Sequence, residues 1–193
     1  MRHLLWLGLC LLACSSSSSN DQAAFAATAG PSLTEQLAQG HLQADSLWLR
    51  ISKPDYELGL WHGQRRLKTY DVVFGADPMG DKQMQGDRRT PEGRFRIRAK
   101  YPHDKWTYFL WIDYPTEASW QKHRAAKAAG DIPATAQIGG EIGIHGVPQG
   151  YEHVIDQRQN WTLGCISLNS AGIKELYQLV PVGAEVVIVG EGE

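Results

Sequence analysis

Long hydrophobic runs, cysteines and clusters of one charge are all scarce in this sequence of 193 residues. The apolar run from Leu4 to Ala13 has ten residues, which rise about 15 Å as a helix, half of a hydrocarbon core of about 30 Å. It is therefore too short to span a membrane. The 19 Lys and Arg and 21 Asp and Glu are mixed along the chain and give a net charge of −2, which argues against a nucleic-acid surface. With 42% hydrophobic residues, the chain is sufficient for one domain with a core.

The N-terminus has the pattern of an export signal. "MRHLLWLGLCLLAC" places Arg2 before the apolar run, as secretory signals do. Its end, Leu-Leu-Ala-Cys14, resembles the lipobox of bacterial lipoproteins, which implies cleavage before Cys14 and lipidation of its thiol. Because Ser15 and not Asp follows, the resemblance favours the outer membrane over the inner one. The alternative is an ordinary signal peptide cleaved further along, near "AAFAATAG".

These features predict three regions: a signal peptide over 1–13, a lipidated cysteine with a flexible tether over 14–43, and a folded domain over 44–190. The tether is rich in Ser and Ala and cannot bury enough apolar area to offset its ordering entropy. Within it, "SLTEQLAQGHLQ" has the pattern of one short helix.

Alternating apolar residues predict strands in "SLWLRIS", "YELGLWHGQRRLKTYDVVFG", "RFRIRAKYP", "YFLWIDYP", "GGEIGIHGV" and "AEVVIVG". The second stretch has the pattern of a hairpin with His62 and Gly63 at its turn. "EASWQKHRAAKAA", which Gly130 ends, and "NSAGIKELYQLV", with Asn169 or Ser170 as its N-cap, have helical patterns. We therefore expect a β-rich α+β fold of curved mixed sheets or a sandwich, with two or so helices.

Cys165 is the thiol that remains once Cys10 leaves with the signal and Cys14 carries lipid. A lone thiol in an oxidising compartment is either inert through burial or kept for its chemistry. His145 ends an apolar strand, and Cys165 stands a few residues before a predicted helix, so an imidazolium and a helix N-terminus are both available to lower the pKa of the thiol. Gly164 would let a substrate carbonyl approach the backbone and would help to aim amide N–H groups at an oxyanion.

Five stretches occur in an order that resembles a known family. "IGGEIGIHGVP" precedes "WTLGCISL"; "GDRRTPEGRFRI" and the predicted hairpin lie upstream, and "IKELYQLVPVGAEVVIV" lies near the end. Together they resemble the L,D-transpeptidase catalytic domain (YkuD-like) over about Ser46 to Val189. The resemblance implies that fold in a single domain, action on peptidoglycan stem peptides, and no metal or organic cofactor.

The resemblance also implies a role for each motif residue. Cys165 matches the nucleophile, which attacks the third stem residue, expels D-alanine and holds the acyl group as a thioester. His145 matches the base, and Gly146 supplies the backbone carbonyl that orients its imidazole. Gly164 and Cys165 match the oxyanion N–H donors, and Thr162 either shapes the loop or donates to substrate.

Two positions depart from the family pattern. Leu163 stands where many members carry a histidine, and Ser167 stands where many carry an arginine. Both positions are substrate-contact candidates, and the second change removes a bidentate anchor for a carboxylate. Arg88 or Arg89 would compensate, although a solvated loop charge is the simpler interpretation.

Other residues have two interpretations. A metal site of His145, His153 and Cys165 lacks the usual close ligand pairs, and we expect none. Four aromatic residues would either line a groove for a polymer or pack in the core: Trp106, Trp111, Tyr114 and Trp120. We favour the core for Trp111 and keep Tyr114 as a candidate groove wall. The cations of "WQKHRAAKAA" form a solvated helix face or touch an anionic glycan.

Three functions follow in order of preference. The first is an exported, lipid-anchored L,D-transpeptidase that passes the acyl group to an amine, either crosslinking stems or attaching a protein. The second is a hydrolase of the same fold that trims stems or releases attached protein. The third is a peptidoglycan-binding lipoprotein in which Cys165 is structural.

Overall fold

Eight strands form a closed barrel in the order β1-β2-β3-β7-β6-β5-β4-β8, within the residues 30–191 that this computed structural model describes. Their bounds are Leu47–Ser52 (β1), Glu57–His62 (β2), Arg65–Val73 (β3), Gly93–His103 (β4), Thr107–Ile112 (β5), Gly143–Gly146 (β6), Ile166–Leu168 (β7) and Glu185–Val189 (β8). Neighbours are antiparallel except β1 with β8 and β6 with β7, so the sheet is mixed. The β-rich, mixed-sheet prediction is confirmed, but the strands close into a barrel and do not form a sandwich.

Four α-helices accompany the barrel in the described residues, where the sequence predicted about two: Leu33–Ala38 (α1), Glu117–Ala129 (α2), His153–Asp156 (α3) and Ser170–Leu179 (α4). Helix α2 begins at a capping box on Thr116 and ends at Gly130, whose φ of 81° is the left-handed conformation that glycine adopts readily. Helix α4 is capped by the Asn169 side chain. The missed helix α3 has four residues, too few to show a period. No helix of this part of the chain is long and apolar enough to cross a membrane.

The folded unit begins at Ser32, earlier than the boundary predicted at residue 44. Helix α1 forms as expected, but Leu33 and Leu37 pack against the core and Leu42 is buried. These apolar contacts tie the last part of the predicted tether to the domain. The signal peptide, Cys14 and the rest of the tether up to residue 29 lie outside the described residues.

Helix α4 packs across β5 and β6 and so supports the strand that carries His145. The sequence pattern predicted Ile173, Leu176, Tyr177 and Val180 on its apolar face; three of them are buried, Tyr177 packs against the core, and Leu179 is buried in addition. Burial of each such side chain contributes about 1.5–3 kcal/mol. The helix thereby covers the side of the barrel that β5 and β6 form.

Candidate active site

A cleft of about 1210 Å³ is lined by the loop after β3, helix α2 and the segments that lead into β6 and β7. His145 and Cys165, the two residues predicted to do chemistry, both line it, as do Thr162 and Leu163. Strands β6 and β7 pair in parallel, with His145 opposite Ser167. This pairing brings the end of the His-Gly strand beside the Gly-Cys segment.

His145 is held in one orientation by its backbone neighbour and by aromatic rings. Its Nδ1 lies 2.7 Å from the Gly146 carbonyl oxygen. Because a carbonyl only accepts, Nδ1 carries the proton and the neutral imidazole keeps Nε2 free as a base. The Trp106 ring stacks on the imidazole at a centroid distance of 4.3 Å, and Phe109 and Trp161 also contact it. Burial lowers the pKa of His145 to about 4, the Gly146 hydrogen bond opposes this shift, and the charge of His103 adds to it.

Cys165 lies one residue before β7, with its thiol against the segment that enters β6. Sγ lies 3.6 Å from the Glu141 carbonyl oxygen, to which the thiol donates. Burial raises the pKa of the thiol to about 11, with a backbone hydrogen bond from Gly143 and the charge of Lys82 lowering it and Glu141 raising it. The prediction that the thiol would be acidified is therefore wrong. Helix α4 begins a few residues after Cys165, as the sequence predicted, but strand β7 lies between the thiol and its N-cap Asn169.

The thiol and the imidazole share the cleft as a neutral pair. Within residues 30–191 no hydrogen bond joins Sγ to the His145 ring, since the ring donates to Gly146 and the thiol to Glu141. With pKa values of about 4 and about 11, both groups are uncharged at pH 7. In unliganded enzymes such pairs are often loose and tighten only with substrate.

The neutral thiol predicts a steep pH dependence of alkylation. Because only the thiolate reacts, and its pKa is about 11, the rate with iodoacetamide should rise about tenfold per pH unit from pH 7 to 10. Glu141→Gln should shift this profile to lower pH, because the Glu141 charge raises the pKa of the thiol. Alkylation followed by intact-protein mass measures both rates. A plateau below pH 7 would instead indicate a preformed thiolate.

Thr162 shapes the nucleophile segment from within. Its buried hydroxyl donates to the Cys165 carbonyl oxygen at 2.7 Å and accepts from the Gly164 N–H at 3.1 Å. Of the two roles expected for Thr162, the structure favours the loop-shaping one. The Gly164 N–H, one of the two expected oxyanion donors, is bonded within the loop, and the Cys165 N–H is the other candidate donor.

Thr162→Val should destabilise the protein by about 2–6 kcal/mol. The isosteric side chain leaves the Gly164 N–H and the Cys165 carbonyl without a partner, and each buried unsatisfied group costs about 1–3 kcal/mol. Thr162→Ser retains the hydroxyl and serves as the matched control. Urea unfolding measures both, and equal stability of the Val and Ser variants would contradict this role.

Gly164 has a backbone that other residues rarely adopt. Its φ is 138°, and a Cβ at this position would lie 2.7 Å from the Arg89 carbonyl oxygen and 3.0 Å from Ile142 Cδ1. The nucleophile segment therefore packs directly on the backbone of the loop after β3. Glycine is required here for close packing, a reason distinct from the substrate access that the sequence suggested.

The remaining site predictions have mixed outcomes. Leu163 is 77% exposed on the cleft wall, where it can touch a ligand. Ser167 is fully buried in β7, and its hydroxyl finds no partner among the described residues, so it is not a substrate contact. Tyr114 is also not a groove wall: it packs in the core and donates to the Ile138 carbonyl behind the cleft.

Of the tryptophans predicted to line a groove or to pack in the core, some line the cleft and one does not. Trp106 and Trp120 line the cleft, whereas Trp111 is half-buried beneath the Arg98 guanidinium. Sequence reasoning missed Trp161, which lines the cleft beside His145. Its position directly before Thr162 was the available signal. His153 is exposed beside Tyr151, and residues 30–191 contain no group of three His, Cys, Asp or Glu able to hold a metal.

Comparison with known proteins agrees with this geometry. The sequence profile of the L,D-transpeptidase catalytic domain (YkuD) matches residues 46–188. No curated protein matches the chain. The chain therefore belongs to the L,D-transpeptidase catalytic-domain family.

Solved structures share its fold at low sequence identity. The helical cell shape determining protein Pgp2 from Campylobacter jejuni is 18% identical, with a TM-score of 0.54 over 82% of this chain and 55% of its own. Bd1075 from Bdellovibrio bacteriovorus is 14% identical, with a TM-score of 0.54 over 75% of this chain and 48% of its own. An L,D-transpeptidase from Mycobacterium smegmatis is 13% identical, with a TM-score of 0.49 over 75% of this chain and 58% of its own. The chain thus spans about half the length of these proteins.

Proposed function

We propose that this protein is a peptidoglycan L,D-transpeptidase with Cys165 as nucleophile and His145 as general base. The observation that carries the proposal is the placement of both side chains in one cleft, with Nδ1 of His145 committed to the Gly146 carbonyl and Nε2 left to accept a proton. This is the arrangement of nucleophile, base and orienting group that acyl transfer requires.

Acylation begins when substrate displaces the thiol from the Glu141 carbonyl and turns it toward His145. Nε2 takes the thiol proton as Sγ attacks the carbonyl carbon of the third stem residue. The Cys165 N–H stabilises the oxyanion of the tetrahedral intermediate. The imidazolium then gives its proton to the departing amine, which releases D-alanine and leaves a thioester on Cys165.

Deacylation restores the thiol and defines the enzyme class. An acceptor amine attacks the thioester carbon, His145 takes the amine proton, and Sγ leaves and is reprotonated. Leu163, Trp106 and Trp161 line the same cleft. His145 can take a proton from a water as well as from an amine, so the choice of an amine acceptor rests on the family to which the chain belongs.

Product analysis with purified disaccharide-tetrapeptides tests the proposal. Transfer yields dimers crosslinked between third residues, together with D-alanine. Shortened stems without dimers would establish the alternative, a hydrolase of the same fold. If the stems stay unchanged, the protein is a binding module in which Cys165 has no catalytic role.

The cellular location is part of the same proposal. The export signal and the lipobox-like Leu-Leu-Ala-Cys14 support an outer-membrane lipoprotein facing the periplasm, where peptidoglycan lies. The substrate and the anchor would then occupy the same compartment.

A further inference from the structure

Two cations on the cleft wall, Arg88 and Lys127, have no ion-pair partner among the described residues. Most nearby cations are paired. Lys82 binds Asp87 at 2.6 Å, and Arg89 binds Asp77 at 3.0 Å. The sequence did not distinguish Arg88 from Arg89 as a candidate carboxylate anchor. In the structure Arg89 pairs with Asp77 of the same loop, whereas Arg88 lines the cleft.

Contacts within the loop hold the backbone of Arg88, while its side chain is exposed. Its φ is 56°, a left-handed conformation that is costly for a residue with a Cβ. Its carbonyl oxygen accepts a hydrogen bond from the Asp77 N–H at 3.2 Å. The same oxygen lies so close to Gly75 that a Cβ on that residue would be 2.0 Å from it. The Arg88 backbone is thus packed into the loop, and its exposed side chain lines the cleft.

Lys127 stands on the adjoining wall, helix α2, which is fastened to the same loop. The ring of His123 bonds the Gln83 carbonyl through Nδ1 at 2.7 Å, and the ammonium of Lys122 binds Asp81 at 2.5 Å. Arg124 on this helix is paired with Glu117, and only Lys127 of its three cations lines the cleft. The solvated-face interpretation therefore fits Lys122 and Arg124 but not Lys127.

We propose that Arg88 and Lys127 form a carboxylate-binding subsite that holds the free C-terminal carboxylate of the donor peptide, an inference that rests on the proposed function. A guanidinium binds a carboxylate through two parallel hydrogen bonds, and an ammonium adds a point charge. Among residues 30–191, Glu141 is the one acid that lines the cleft, so the two unpaired cations give the described lining an excess of positive charge. Ser167 is buried and has no such group, so the anchor lies on the loop and helix α2 instead of strand β7.

Paired donor peptides test the subsite. Tetrapeptides ending in a carboxylate or in a carboxamide are compared for the rate of Cys165 acylation, read by intact mass. The wild-type protein should prefer the carboxylate by at least about tenfold, the effect of losing a charged hydrogen bond. Arg88→Gln and Lys127→Gln should lower kcat/KM for the carboxylate donor and leave the carboxamide donor nearly unchanged. Arg124→Gln, a cation of α2 outside the cleft, is the matched control and should retain the preference.

Binding separates failure of the subsite from failure of the proposed function. Calorimetry with Cys165→Ala measures affinity for both peptides without any chemistry. Tighter binding of the carboxylate peptide that Arg88→Gln abolishes would support the subsite even if the wild-type protein formed no acyl-enzyme. Equal binding of the two peptides, or a preference that survives both substitutions, would overturn it.

Discussion

Replacing Cys165 by alanine should lower the rate of acyl-enzyme formation by at least about 10⁴-fold, the scale on which enzymes lose activity without their nucleophile. Only the thiol can form the thioester, and the residues around it would bind and orient the donor without reacting. Release of D-alanine from a tetrapeptide donor, measured for both proteins under identical conditions, gives the ratio.

Two controls protect this result. The Ala variant should remain folded, because Cys165 is half-buried and its thiol makes only a 3.6 Å contact to the Glu141 carbonyl and a backbone hydrogen bond from Gly143. Cys165→Ser keeps the size but has a far less acidic group, and it should also be inactive. A loss of less than about tenfold in the folded Ala variant would assign the chemistry to another residue.

Replacing His145 by glutamine should slow acylation by about 10²–10⁴-fold, the usual contribution of a general base. Glutamine can still donate to the Gly146 carbonyl, but it has no group that takes the thiol proton. The rate limited by proton removal should recover partly at high pH, where hydroxide generates the thiolate. A variant that retained full activity at pH 7 would exclude His145 as the base.

The same variant should also be less sensitive to acid. The pKa of His145 is lowered from 6.5 to about 4 in the folded protein, so between these values the unfolded chain binds a proton that the native state does not. The contribution of the neutral His145 to the free energy of unfolding is therefore fully present above pH 6.5. It falls by about 3 kcal/mol as the pH drops to 4. Urea unfolding at pH 7 and pH 4 should show this extra loss in the wild-type protein and not in His145→Gln. Equal losses would contradict burial of a neutral imidazole.

Much of this architecture could be predicted where a local signal is strong. Helix α2 has a complete set of end signals, Thr116 before it and Gly130 after it, and its predicted bounds agree with the structure. The strands whose apolar residues alternate could likewise be predicted from the sequence. Strand β7 was missed because three residues, Ile166–Leu168, show no period. Barrel closure depends on pairing between β1 and β8, the two ends of the domain, which no local pattern encodes.

The site could be predicted in its reactive residues but not in its electrostatics. Motif spacing singled out His145 and Cys165, yet their pKa values depend on burial by distant segments. The helix expected to acidify the thiol lies beyond a strand that the sequence did not reveal. In the same way, the exposure of Arg88 and the pairing of Arg89 follow from loop packing that the sequence alone does not show.

The central claim is that Cys165 carries the acyl group, and the most direct measurement is the mass of the protein quenched in acid during turnover of a tetrapeptide donor. The account predicts a mass increase equal to the donor minus D-alanine, located on Cys165 by peptide mapping and removed by hydroxylamine. Turnover without any adduct on Cys165, or an adduct on another residue, would contradict it.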